Sequence, residues 1–212
     1  MRVPDPAGWY LALTFAAALT LSFLAAANDR LPGDLWLAGH TQDLGGWFEP
    51  LAKAARAITT TQTVLILGFM LGVAMLFIGE RRLAAICFVT VAVLPFLQAG
   101  IKNLVDRPRP PASLVDRRAT FTSESFPSGH AMSGTALVLL VVLVLVSLPL
   151  PGWQRAAGIA AASAVLLVSI LGDVYLGMHW PSDVLGGLLW ATTLVGGSAL
   201  LAIRYIPRRN SP

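Results

Sequence analysis

The chain has 212 residues, of which 56% are hydrophobic and 12% charged, with a net charge of +4 and a mean hydropathy of +0.70. Soluble domains carry about 25% charged residues, so lipid is expected as the solvent for much of this surface, and the length suits one domain over residues 1–212. The single cysteine, Cys87, lies in an apolar run, which excludes an intramolecular disulfide and a metal site built on cysteines.

A membrane-crossing helix needs roughly 20 mainly apolar residues. Six stretches meet that need: about Trp9 to Ala27, Thr63 to Ile78, Leu83 to Ile101, Ala131 to Leu150, Ala157 to Tyr175 and Val184 to Ile203. The first has no clear small-residue cleavage site and is read as a retained span, not a signal peptide. Between the first two spans, residues 28–62 form an outer loop with Trp36, Trp47 and Phe48. Its second half (Phe48, Leu51, Ala54, Ala55, Ile58) has helical spacing. That pattern fits a short amphipathic helix on the membrane surface or a packed cover over the bundle. The expected fold is therefore all-α, an integral membrane bundle of six transmembrane helices with a short amphipathic helix in the first outer loop.

Charge sets the orientation. With the N-terminus inside, the inner segments hold Arg2, Arg81, Arg82, Arg155, Arg204, Arg208 and Arg209, against Asp5 and Glu80. Outside, Lys102, Arg107, Arg109, Arg117 and Arg118 crowd into one loop. With that loop assigned to chemistry, Lys and Arg favour the inside. The pI near 9.8 follows from this topology and not from a nucleic-acid surface, since the basic residues form no long tract.

Three polar clusters fall at the outer ends of the last four spans. The first, Lys102 to Pro110, sets Lys102, Arg107 and Arg109 among prolines. Arginine offers phosphate a planar fork and lysine a point charge; snorkelling cations are the ordinary alternative. The second, Phe126-Pro127-Ser128-Gly129-His130, opens the fourth span. Ser128 is a candidate N-cap, and unpaired N–H groups at a helix start attract anions. The third holds His179 and Asp183 four residues apart, on one face if helical. A carboxylate against one imidazole nitrogen leaves the other basic, as a nucleophilic histidine requires; a structural hydrogen bond is the commoner cause of such a pair. Convergence of all three on one membrane side favours function.

These residues resemble the type 2 phosphatidic acid phosphatases, which share their core with vanadium haloperoxidases. Lys102 with Arg109-Pro110 matches the first family motif, Pro127 to His130 the second, and His179 with Asp183 the latter half of the third; the likeness covers about residues 60–205. The resemblance implies that His179 attacks phosphorus to give a phosphohistidine. Asp183 orients it, and His130 serves as general acid and later helps activate water. Lys102, Arg109 and the N–H groups at Ser128 and Gly129 hold phosphate oxygens. It implies no metal or cofactor. The partner is a lipid phosphate in the bilayer of a bacterial inner (plasma) membrane, met on the periplasmic or extracellular side. Candidate substrates are undecaprenyl diphosphate, phosphatidylglycerol phosphate and phosphatidic acid. The alternatives are a lipid phosphotransferase and a catalytically weakened lipid-binding or transport member. Oligomeric state is not legible.

One departure stands out. The third motif begins Ser-Arg in the family, whereas Gly172-Asp173 occupies those positions here. Three consequences are open: a weakened site; replacement of the lost cation by Arg107, Arg117 or Arg118 with Asp173 paired to it; or an Asp173 carboxyl that faces a substrate hydroxyl.

Overall fold

The computed structural model describes residues 6–120 and 123–207. Arg2, Asp5, Arg208 and Arg209, counted above toward the inner face, lie outside the described residues. Among the described residues all regular structure is helical: α1 (Pro6–Ala27), α2 (Asp34–Gln42), α3 (Phe48–Ile58), α4 (Thr61–Phe77), α5 (Arg81–Val105), α6 (Gly129–Ser147), α7 (Gly152–Tyr175) and α8 (Pro181–Tyr205).

Helices α1, α5, α6, α7 and α8 are each long and apolar enough to cross a bilayer. α4 has 17 residues and qualifies together with α3, from which it bends by 49°. The chain is thus a multi-pass membrane protein with five or six spans. Helix starts are locally encoded. The Thr60 hydroxyl accepts from the Thr63 N–H at 3.2 Å to cap α4, and Pro181 opens α8 with its φ already helical.

Lipid gives no hydrophobic drive for helix association, so close packing must supply it. On α4, Gly68 and Gly72 form a small-residue stripe against α5. A Cβ at Gly68 would lie 2.6 Å from Val91, and one at Gly72 2.7 Å from Phe88. α1 docks on α8, where Trp190 Nε1 donates to Ser22 Oγ at 3.1 Å. Phe77, Phe96 and Leu104 remain largely exposed on the outer faces of the spans, as expected of side chains solvated by lipid.

The first outer loop holds two helices where the sequence predicted one. α2 lies in a stretch read from sequence as loop; Gly33 has φ 88° and immediately precedes the helix. α3 forms where helical spacing placed it, and only part of its apolar stripe faces the bundle. Phe48, Ala52 and Ala55 are buried, while Leu51 and Ile58 stay 46% and 43% exposed. The reason is packing against α7, where small Ala52 permits a close approach that Leu51 would block.

The C-terminal ends of α5 and α7 and the N-terminal ends of α4, α6 and α8 meet on one side of the bundle. Gln98 on α5 ties these ends together, since its Nε2 donates to Ser133 Oγ at 2.8 Å and to the Gly129 carbonyl at 3.2 Å on α6.

Candidate active site

The site is built from helix ends. α7 ends at Tyr175, and two residues on Gly177 has a φ of +65° that suits glycine, where a Cβ would fall 2.5 Å from the Asp116 carbonyl. The chain doubles back there, so that the N–H groups of Met178 and His179 both donate to the Asp173 carbonyl, at 3.1 and 3.3 Å. This turn fixes His179 over the end of α7. Two residues later α8 begins, and Asp183 in its first turn accepts the Trp180 N–H at 2.8 Å.

His179 is 3% exposed. Its Nε2 lies 2.9 Å from Arg109 Nη1. A guanidinium can only donate, so Nε2 must present a lone pair and the ring is neutral with its proton on Nδ1. Nδ1 faces Asp183 Oδ2 at 3.7 Å, beyond hydrogen-bond length, so that contact is electrostatic. Burial pushes the His179 pKa below its ordinary value, and the carboxylates of Asp183 and Asp173 oppose that shift. Asp183 is fully buried and well held. Its Oδ2 also accepts from Ser125 Oγ, and its Oδ1 accepts from Arg107 Nη1 at 2.6 Å.

Arg109 spreads over the same mouth. Its Nη1 donates to the Met178 carbonyl at 2.7 Å and its Nε to the Ser123 carbonyl at 2.9 Å. Lys102, in the last turn of α5, donates through Nζ to the Glu124 carbonyl. The structure therefore brings Lys102, Arg109, His130, His179 and Asp183 together at these helix ends.

Asp173 finds a partner that the sequence reading did not name. It is fully buried and receives a hydrogen bond from Ser128 Oγ on Oδ2. Its Oδ1 lies 2.9 Å from Arg56 Nε, an ion pair whose N–H is not aligned as a directed hydrogen bond. Arg56 belongs to α3 and was not singled out from sequence. Its Nη2 sits 3.2 Å from His130 Nδ1, and its Nη1 2.7 Å from Met178 Sδ. A cation does pair with Asp173, but it is none of the three expected. Nor does the carboxylate face outward toward a substrate hydroxyl.

The other candidates lie elsewhere. Arg107 is 1% exposed and sits behind Asp183, between that carboxylate and Asp34, whose Oδ2 is 3.1 Å from Nη2. Its nitrogens are taken up there by Asp183, Asp34, Ser182 and the Asn28 carbonyl. Arg117 donates to the Pro110 carbonyl at 2.6 Å. Arg118 pairs with Asp116 at 2.7 Å and lies over the Tyr175 ring. Ser128 caps α6 as expected, since its Oγ accepts the Ala131 N–H at 3.1 Å. Its own N–H, however, donates to the Asp183 carbonyl at 3.0 Å. The expectation that this N–H faces phosphate is corrected, and Gly129 is the first position of α6 at which an N–H could serve.

The sequence profile of the PAP2 superfamily matches residues 83–210. The chain belongs to the PAP2 superfamily. It is 24% identical over 176 residues to phosphatidylglycerophosphatase B of Bacillus subtilis, covering 82% of this chain and 83% of that protein. It is 27% identical over 157 residues to the putative undecaprenyl-diphosphatase YbjG of Escherichia coli, covering 72% and 73%. The crystal structure of the transmembrane PAP2-type phosphatidylglycerolphosphate phosphatase from Bacillus subtilis superposes with a TM-score of 0.79. That match covers 94% of this chain and 98% of the other at 19% identity. The fold is thus that of a transmembrane PAP2 protein.

Proposed function

We propose that this PAP2 protein is a membrane lipid phosphatase that works through His179 at the extracytoplasmic face. The observation that carries this reading is the Nε2 of a buried, neutral His179 held against Arg109, with Asp183 behind the ring. Nε2 attacks phosphorus, and the bond to the leaving oxygen breaks as His130, having taken up a proton when the substrate's phosphate binds, gives that proton to the leaving oxygen and becomes neutral. The phosphorylated ring becomes cationic, and Asp183 stabilises that charge. Water then attacks phosphorus and gives its proton to His130; phosphate leaves, and neutral His179 returns. Lys102 and Arg109 hold the phosphoryl oxygens as charge shifts in the transition state.

The names of the relatives point to a phospholipid or polyprenyl phosphate as substrate. An apolar groove of about 510 Å³ supports that class. It lies between α1, α5 and α8 and is lined by Phe23, Phe96, Gly100, Leu104 and Trp190 among others. It borders the end of α5 that carries Lys102, so an acyl or prenyl tail could lie there while the headgroup meets the histidines.

The test is phosphate release by purified protein in mixed micelles, with phosphatidylglycerol phosphate, undecaprenyl diphosphate and phosphatidic acid offered in parallel. The wild-type chain should hydrolyse at least one, and His179→Ala should abolish release. Absence of release from all three by folded wild-type protein would refute the reading.

A further inference from the structure

We infer that Arg56, carried by α3, is a phosphate-holding residue of this site, standing in for a cation that α7 does not supply; the inference rests on the phosphatase reading above. Three independent observations converge on it.

First, Arg56 is placed for the task. Its side chain is 11% exposed, so the guanidinium is taken largely out of water. Its Nη2 lies within 3.2 Å of His130, the group that meets the leaving oxygen. Burial first lowers the Arg109 pKa, and the nearby Arg56 charge adds to that lowering. Two neighbouring guanidinium groups repel, and an arriving phosphate would relieve that repulsion.

Second, its anchor is built. Asp173 is fully buried and holds Arg56 Nε at 2.9 Å, while Ser128 Oγ satisfies the other carboxylate oxygen. That ion pair engages the Nε side of the guanidinium and leaves Nη2 beside His130. The carboxylate is shielded behind the guanidinium and does not confront phosphate itself.

Third, both departures from the Ser-Arg pattern have one cause. A Cβ at Gly172 would lie 2.9 Å from Ala52 Cβ and 3.4 Å from Arg56 Cδ. Gly172 thus permits α3 to approach α7 closely enough to deliver Arg56, and Asp173 fastens it there. A plain helix-to-helix ion pair would need neither the missing Cβ nor a guanidinium turned toward His130.

The experiment compares wild type with Arg56→Gln, Asp173→Arg and the double variant Arg56→Ala/Asp173→Arg. Phosphate release, inhibition by orthovanadate and thermal unfolding are measured on each. Orthovanadate mimics the phosphoryl group in its transition state, and such mimics report contacts formed there. Folded Arg56→Gln should lose tenfold or more in kcat/KM, about 1.4 kcal/mol of barrier, with a matching loss of vanadate affinity. A purely structural pair would move unfolding and leave vanadate inhibition alone. Asp173→Arg should inactivate, because it sets two buried guanidiniums together and removes the acceptor for Ser128; the double variant should exceed it in activity. Arg56→Gln that keeps kcat/KM and vanadate affinity within threefold overturns the inference. If Arg56→Gln does not fold, the double variant decides: activity above Asp173→Arg supports the role, and parity overturns it. The phosphatase reading fails separately, through a wild-type chain that releases no phosphate.

Discussion

Arg107 binds the back of Asp183. Its Nη1 donates to Asp183 Oδ1 at 2.6 Å and its Nη2 to Asp34 Oδ2 at 3.1 Å, with all three side chains at most 3% exposed. Asp34 in turn accepts from Ser182 through both backbone and hydroxyl, at 2.9 and 2.7 Å. The first outer loop is thereby locked to the start of α8, and Asp183 is aimed at His179 from behind. One cation serves two carboxylates, and this network fixes the geometry on which the proposed chemistry depends.

Arg107→Ala should therefore destabilise severely. It strands two buried carboxylates, and breaking a buried pair costs about 3–5 kcal/mol. Arg107→Lys should recover little, because an ammonium cannot bridge both acids with a planar fork. Thermal unfolding in detergent checks this. Unfolding of Arg107→Ala close to wild type would show that the network contributes nothing to stability.

The pH dependence follows from His179. Attack needs the neutral ring, and burial holds its pKa below the ordinary 6.5. The acid limb of kcat/KM, which reports the free enzyme, should thus lie below pH 6.5. It should stay there for two substrates whose own phosphate pKa values differ. Stability has the same sign. Below pH 6.5 the unfolded chain binds a proton at this residue that the folded chain resists, so this residue favours unfolding increasingly as pH falls. An acid limb above 6.5 common to both substrates would contradict the assignment.

Much of the site was legible because it sits at span ends. Lys102, Arg109, His130, His179 and Asp183 are polar residues beside apolar runs, and alternate crossings put their ends on one side. Arg56 was not legible. It lies in a loop segment where Glu49 and Lys53 pair at i,i+4 on an exposed face, so charge there looks like ordinary solvation. A signal existed in Asp173, since an acid at the end of an apolar span demands a cation, and in small Ala52 one turn before Arg56. Asp34 was missed for a similar reason: its partners come from α8 and the loop after α5, far along the chain. The predicted contact of the Ser128 N–H with phosphate failed because sequence does not reveal that the Asp183 carbonyl reaches it.

Ser128→Ala should separate two roles of one hydroxyl. It removes the cap on the Ala131 N–H, which costs about 0.5–2 kcal/mol. It also leaves Asp173 Oδ2 without its donor, a further penalty of about 1–3 kcal/mol for a buried acceptor. Ser128→Asn, which can cap, should recover the first part but crowd Asp173. Unfolding of Ser128→Ala at the wild-type temperature would show that neither contact matters.

The groove between α1, α5 and α8 gives a test of how the lipid is held. Gly100 lines it, and a Cβ there meets nothing within 4 Å. Gly100→Leu would project into the groove without a backbone clash. Within a helix the change should favour folding by about 0.5–1 kcal/mol relative to glycine, so lost activity could not be ascribed to unfolding. The expected result is a KM raised several-fold for a long-chain lipid phosphate with kcat nearly unchanged, and no effect on a short-chain phosphate that cannot reach the groove. Equal losses on both substrates would place the tail elsewhere, because an obstacle confined to the groove discriminates by chain length alone.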